Sequence, residues 1–224
     1  MTQPFEDSKL HRRLRRVRHG AILVIGTGQW GKTVAINSLV QEDVLADRNV
    51  VLINYDDDFV KEIYPDRYRG ERWPEDLRDL TKILRAGKDF IIIDDAIFLA
   101  GSRDSQTREN KDLQKVMTIL SHNDLFAAVT IQNTSLLDIG MMQSQDVHIL
   151  HKHMDPLSME FERPMMRIRQ ATANLMLGHY RRKFTDVHPK AFSWCSSTSE
   201  MIVTTIPHWW EKSMSKAFRG KVPT

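Results

Sequence analysis

The octet Gly26, Thr27, Gly28, Gln29, Trp30, Gly31, Lys32 and Thr33 keeps the spacing G-x-x-x-x-G-K-[ST], and it restricts the possible folds more than any other stretch of the chain. Its flanks are those such a loop requires. The apolar run Ala21 to Ile25 enters as a strand, and Val34, Ala35, Ile36, Leu39 and Val40 follow at helical spacing. A strand running into a glycine-rich turn that opens a helix gathers backbone N–H groups and the positive end of a helix dipole at one point, which suits a polyphosphate. In that setting Lys32 reaches the β- and γ-phosphates and the Thr33 hydroxyl ligates Mg2+. All eight residues are expected around a nucleoside triphosphate, with ATP and Mg2+ as the cofactors.

A second segment bears on the same chemistry. Phe90-Ile91-Ile92-Ile93 is an apolar strand ending in Asp94 and Asp95. At a strand tip beside the loop, Asp94 is expected to hold Mg2+ through its water shell, and Asp95 to polarise the attacking water as base. Acids also end strands for trivial reasons, but an uninterrupted apolar strand followed by two acids downstream of such a loop fits this role better. The next buried strand, Leu125 to Ile131, ends in Gln132. An amide there can donate to the γ-phosphate or orient the water, whereas Asn133 and Thr134 suit a turn cap.

Further strands are expected over Val50 to Asn54 and Asp146 to His151. Helices are expected from the loop to Ala46-Asp47, over Leu77 to Leu84, and over 107 to 122, while Tyr64 to Pro74 reads as a variable connection. This alternation implies an α/β fold, a mainly parallel sheet with helices on both faces. At 224 residues, the chain suits one such domain with elaborations. Its composition, 41% hydrophobic and 27% charged, argues against disorder or a coiled coil. No apolar run approaches the roughly 20 residues of a membrane span. An N-terminus without an apolar leader and a single cysteine, Cys195, suggest a reducing, cytoplasmic setting, with Cys195 a small hydrophobe in a strand.

The net charge of +3 is unevenly placed, since His11 to His19 holds five arginines in nine residues. Such a run fits a phosphate backbone or a solvated helix face. Three parts are expected: a basic segment over 1–19, a core over 20–152, and a small α+β extension over 153–224. In the extension, Ala191 to Cys195 and Met201 to Ile206 read as a hairpin, and Pro207 starts a terminal helix with Trp209, Trp210 and Phe218. Arg181-Arg182-Lys183 is a second basic cluster. The methionines 154, 159, 165 and 166 suit an adaptable surface or ordinary packing. His148, His151 and His153 lack the partners of a zinc site.

Taken together, GTGQWGKT, FIIIDDA and FAAVTIQN resemble the FtsK/HerA superfamily of P-loop ATPases, and Ser102-Arg103-Asp104 through Asn110 is similar to its small archaeal and viral members. The resemblance covers roughly residues 20 to 152. It implies a RecA-like additional-strand P-loop NTPase core of strand order 5-1-4-3-2. It also implies an ATP-hydrolysing DNA translocase, of the viral genome-packaging kind, that acts on double-stranded DNA as a homo-oligomeric ring, commonly a hexamer. Capsid or membrane-vertex proteins are further candidate partners, and the location is the host cytoplasm or the virion. An arginine completing the neighbour's site is also implied, with Arg103 the first candidate and Arg108 the second. One departure is Asp95, where the family usually carries glutamate. DNA transfer, morphogenesis or secretion by the same fold, a small-molecule kinase and a non-hydrolysing nucleotide switch remain the alternatives.

Overall fold

The computed structural model describes residues 3–16, 19–41, 48–53, 55, 58, 60–61, 68–71, 82, 90–94, 125–132, 134 and 147–206. Nine strands fall in these residues: β1 (Gln3–Pro4), β2 (Gly20–Ile25), β3 (Val50–Ile53), β4 (Tyr68–Glu71), β5 (Phe90–Ile93), β6 (Phe126–Ile131), β7 (Val147–His151), β8 (Phe192–Cys195) and β9 (Glu200–Val203). They form one sheet in the order β1-β9-β8-β7-β2-β6-β5-β3-β4.

At its centre, β7-β2-β6-β5-β3 is the expected order 5-1-4-3-2, and every pairing among these strands is parallel. Each of the five is buried along its whole length. Strands covered on both faces read as largely apolar runs, which is why most of them were visible without alternation. The Phe90 and Phe126 rings stack at 5.2 Å across the β5–β6 pair.

Two edge strands were not expected. β4 lies within the stretch taken as a variable connection and pairs in parallel with β3. Tyr68-Arg69-Gly70-Glu71 has a single apolar residue, Tyr68, which is buried, and a strand at the sheet's edge needs no longer apolar run. β1 pairs in parallel with β9, and Pro4 is tolerated there because an edge strand has one free side. Behind β1, helix α1 (Lys9–Leu14) starts at Ser8, whose hydroxyl oxygen accepts from His11 N at 3.0 Å. Its first two N–H groups donate to the Glu200 carboxylate at 3.1 and 2.9 Å, so the helix start is capped from the far end of the chain. Leu10 and Leu14 are buried, while Arg12, Arg13, Arg15 and Arg16 are exposed.

Beyond the loop, α2 covers Lys32–Gln41. After β7 come α3 (Pro156–Glu160) and α4 (Pro164–Lys183), both opened by proline at the first position, where its missing N–H costs nothing. Met166, Gln170, Ala173 and Leu177 form the buried stripe of α4. The β8–β9 hairpin is antiparallel as expected, and β8 joins β7, so the C-terminal segment continues the central sheet. Cys195 is a buried strand residue, in keeping with its reading as a small hydrophobe. The methionines divide: Met154 and Met166 are core, and Met165 is exposed. The expected end of the loop helix, Leu77 to Leu84 except Lys82, the helix over 107–122, and Trp209, Trp210 and Phe218 lie outside the described residues. Among the described residues, no helix is long and apolar enough to cross a membrane.

Candidate nucleotide site

The loop leaves β2 at its C-terminal end, between the tips of β6 and β7. Gly26 has φ +150°, and a Cβ there would meet Lys152 Cβ at 2.8 Å and His153 O at 2.9 Å. Gly31, at φ +85°, would bring one to 2.8 Å from Lys190 Cβ. Around Gly28 nothing lies within 4 Å. Gln29 is left-handed at φ 68°, a conformation costing about 1 kcal/mol for a residue with a Cβ. Tertiary hydrogen bonds hold this turn. Thr27 N donates to His153 O at 3.1 Å, and the Thr27 hydroxyl donates to the same oxygen while accepting from Asp155 N at 2.9 Å. Lys32 Nζ donates to Gly26 O at 2.9 Å and Thr27 O at 3.2 Å, folding its ammonium back into the loop.

On the β6 side stands Asp94. The Thr33 hydroxyl donates to its Oδ2 at 2.9 Å and the Thr130 hydroxyl to its Oδ1 at 2.6 Å, with Tyr55 OH at 3.4 Å from Oδ2. The two expected metal residues thus touch across the gap between α2 and β5. They present a hydroxyl and a carboxylate oxygen side by side, hard donors of the kind Mg2+ takes while keeping several waters. The residues therefore fit the ion, which when bound would neutralise phosphate charge there. Gln132 directly follows β6 and is half-buried. Two residues on, Thr134 N donates to Glu162 Oε1 at 2.8 Å and its hydroxyl to Oε2, which ties the end of β6 to the α3–α4 junction. Burial raises the Glu162 carboxyl above its ordinary range, against the pull of these bonds. Asp95, Arg103 and Arg108 lie outside the described residues.

On the β7 side, the loop is walled by residues that sequence reasoning did not connect with it. Lys152 is fully buried, and its Nζ donates to Lys190 O at 2.7 Å and Phe192 O at 2.9 Å. Trp30 lies 4.4 Å from the His153 ring, and the Arg181 guanidinium sits 4.6 Å over the Trp30 ring. Arg181 Nε donates to Pro189 O at 3.2 Å. No local signal marked Lys152, Arg181 or Lys190 as neighbours of the loop. Thr130 had one: it is the only hydroxyl in the apolar run FAAVTI.

These burials make stability depend on pH. Burial, and after it the Arg181 charge, pushes Lys152 down to about 7. The unfolded lysine keeps its proton up to its ordinary value of 10.5. Between these limits the unfolded chain binds the extra proton, so stability rises with pH. The wild type should gain on the order of 2 kcal/mol from about pH 7 to about pH 9, and Lys152→Met should lose that gain, as read from urea unfolding at both values. Equal slopes in the two proteins would exclude Lys152 as the source. His151 acts at the other end. Burial pushes it down to about 4, despite the 2.8 Å contact of its Nδ1 with Gln170 Oε1, so stability falls as pH drops below 6.5.

No protein-family model matches the chain, and no curated protein matches its sequence. Solved structures do match. The DNA-packaging ATPase B204 of Sulfolobus Turreted Icosahedral Virus is similar at a TM-score of 0.52 and 12% identity, over 84% of this chain and 98% of that one. The genome packaging NTPase of Sulfolobus turreted icosahedral virus 2 is similar in its complex with AMPPCP (TM-score 0.54, 12% identity, 85% of this chain and 99% of that one). Its complex with ATP-gammaS gives 0.55 and 10%, over 85% and 98%. The chain shares with these structures a RecA-like P-loop fold, as the motifs led one to expect.

Proposed function

We propose that this chain is an ATP-hydrolysing motor that moves double-stranded DNA, most closely of the genome-packaging kind. The observation that carries the reading is the Thr33–Asp94 contact beside the octet, in a chain whose fold runs over nearly the whole length of viral packaging ATPases. In this reading Lys32 neutralises the transferring phosphoryl group, Thr33 and Asp94 hold Mg2+, Asp95 is the base, and Gln132 orients water against the γ-phosphate. Arg103, supplied by the next subunit of a ring, completes the charge balance. Residues 20–152 carry the hydrolytic residues, and the described part of the segment after them extends the same sheet through β8 and β9. The exposed arginines 12, 13, 15 and 16 support contact with a phosphate backbone read without sequence preference.

ATP hydrolysis measured with and without double-stranded DNA, alongside light scattering, tests the proposal. Turnover should rise with DNA, the rise should shrink as salt increases, and the active species should be an oligomer. A monomer whose turnover ignores DNA would defeat the motor reading and leave a small-molecule kinase or a nucleotide switch.

A further inference from the structure

All the large hydrophobic side chains exposed among the described residues lie on α3, α4 or the junction between them. Met165, Ile168 and Leu175 of α4 are 65%, 63% and 75% exposed, and Leu157 of α3 and Phe161 just after it are as open. Single exposed hydrophobics are ordinary on a protein surface, whereas a set gathered on one helix pair marks a contact. The Arg167 guanidinium ties the pair together, donating to Glu160 O at 2.7 Å and Glu162 O at 3.3 Å.

The exposed residues of α4 form a seam beside its buried stripe. Met165, Ile168, Thr172 and Leu175 recur at intervals of three, four and three residues. Such a seam is narrower than the apolar face a helix turns to a core or a lipid surface, and it suits a second helix. The one hydroxyl in it is satisfied at home, since Thr172 Oγ1 donates to Ile168 O at 3.1 Å. On the other side α4 is held firmly: Leu177 packs with Phe192 and Met201, and Gln170 Nε2 donates to Lys152 O at 2.8 Å. The seam is thus presented on a helix that is already ordered, and docking costs little further ordering there.

Charge narrows the choice of partner. α4 carries Arg167, Arg169, Arg181, Arg182 and Lys183 and no Asp or Glu. The last three suit the negative end of the helix dipole, and Arg167 is turned onto the end of α3. Arg169, exposed next to Ile168, has neither role. The same face of a second copy would set cations against cations, which is unfavourable at close range.

We infer that the Met165–Leu175 face of α4 docks an acidic amphipathic helix of another protein. Its apolar residues repeat at the same three-and-four spacing, and its flanking carboxylates meet Arg169 and Arg182. This surface goes beyond the motor reading and does not depend on it.

Fluorescence anisotropy of the full chain with two labelled helical peptides tests the surface. One peptide has Leu at the seam positions and Glu on both flanks; the other has Lys in place of each Glu. The acidic peptide should bind and lose affinity as salt rises, and the basic one should not bind. Ile168→Asp and Leu175→Asp should each weaken the acidic peptide about ten-fold or more, the scale of one buried aliphatic side chain. Both positions are exposed, so thermal melting and ATP turnover should stay at wild-type values. Arg169→Glu should weaken the acidic peptide and flatten its salt dependence. Equal binding of the two peptides, binding of neither, or binding that ignores both seam substitutions overturns the surface. Sedimentation with phosphatidylcholine–phosphatidylglycerol vesicles in the absence of peptide binding makes the occupant a lipid surface. Wild-type oligomers that dissociate on Ile168→Asp make it a second copy, and either outcome overturns the acidic partner.

Discussion

Lys32→Ala is expected to lower ATP turnover by roughly 10²- to 10³-fold, the loss measured when one preorganised donor to a transition-state oxyanion is removed. The reason is electrostatic and local. Lys32 is the cation at the first turn of α2, and its ammonium is already turned into the loop by Gly26 O and Thr27 O. Exchanging two carbonyl oxygens for phosphate oxygens requires only a small movement of a flexible side chain, so little of its attraction is spent on reorganisation. Lys32→Met, which keeps the stem, should lose as much as alanine, because the charge matters and the packing does not. Phosphate release under saturating ATP gives the comparison. A loss below about ten-fold in both variants would take Lys32 out of the hydrolytic step.

Gly31→Ala is the second large effect, and its cause is steric. The substitution demands φ +85° of a residue with a Cβ and drives that Cβ to 2.8 Å from Lys190 Cβ and 3.0 Å from Lys190 O. A destabilisation of about 2–4 kcal/mol follows from strain plus overpacking, and nucleotide affinity should fall with it. Gly26→Ala meets Lys152 and the His153 carbonyl and belongs in the same class. Gly28 supplies the internal control. With nothing within 4 Å, Gly28→Ala should unfold within about 0.5 kcal/mol of wild type in urea. Three alanines of equal cost would mean that the wall behind the loop is not packed against it.

The core of this fold was legible because its strands are buried on both faces. Val50–Ile53, Phe90–Ile93 and Phe126–Ile131 carry their burial in their composition, and their parallel pairing follows from crossovers that sequence alternation already implies, whereas the strand order came from the resemblance. The Thr33–Asp94 pair was legible because a chemical role restricts both residue types. β4 was hidden because an edge strand needs no apolar pattern, and β1 because two residues carry no period. The wall of Lys152, Arg181 and Lys190 was hidden for a different reason. Lys152 reaches the loop because β7 pairs with β2, and Lys190 because β8 returns antiparallel to β7, and no local propensity encodes either closure. Arg181 accordingly read as part of a basic cluster, when its guanidinium lies over Trp30 in the loop.

The central position of β2 also sets the order of events during synthesis. β2 is among the first strands to be made, yet Gly20 pairs with Phe126 and Ala21 with Val147, and Gly31 is backed by Lys190. The loop therefore has its phosphate-binding octet early and its supporting shape late. Closing such long-range pairs is entropically slow, and the apolar strands stay open to wrong partners in the interval. A nascent chain released before residue 190 carries the complete motif without the geometry that makes it bind, so premature termination yields a chain that no nucleotide rescues.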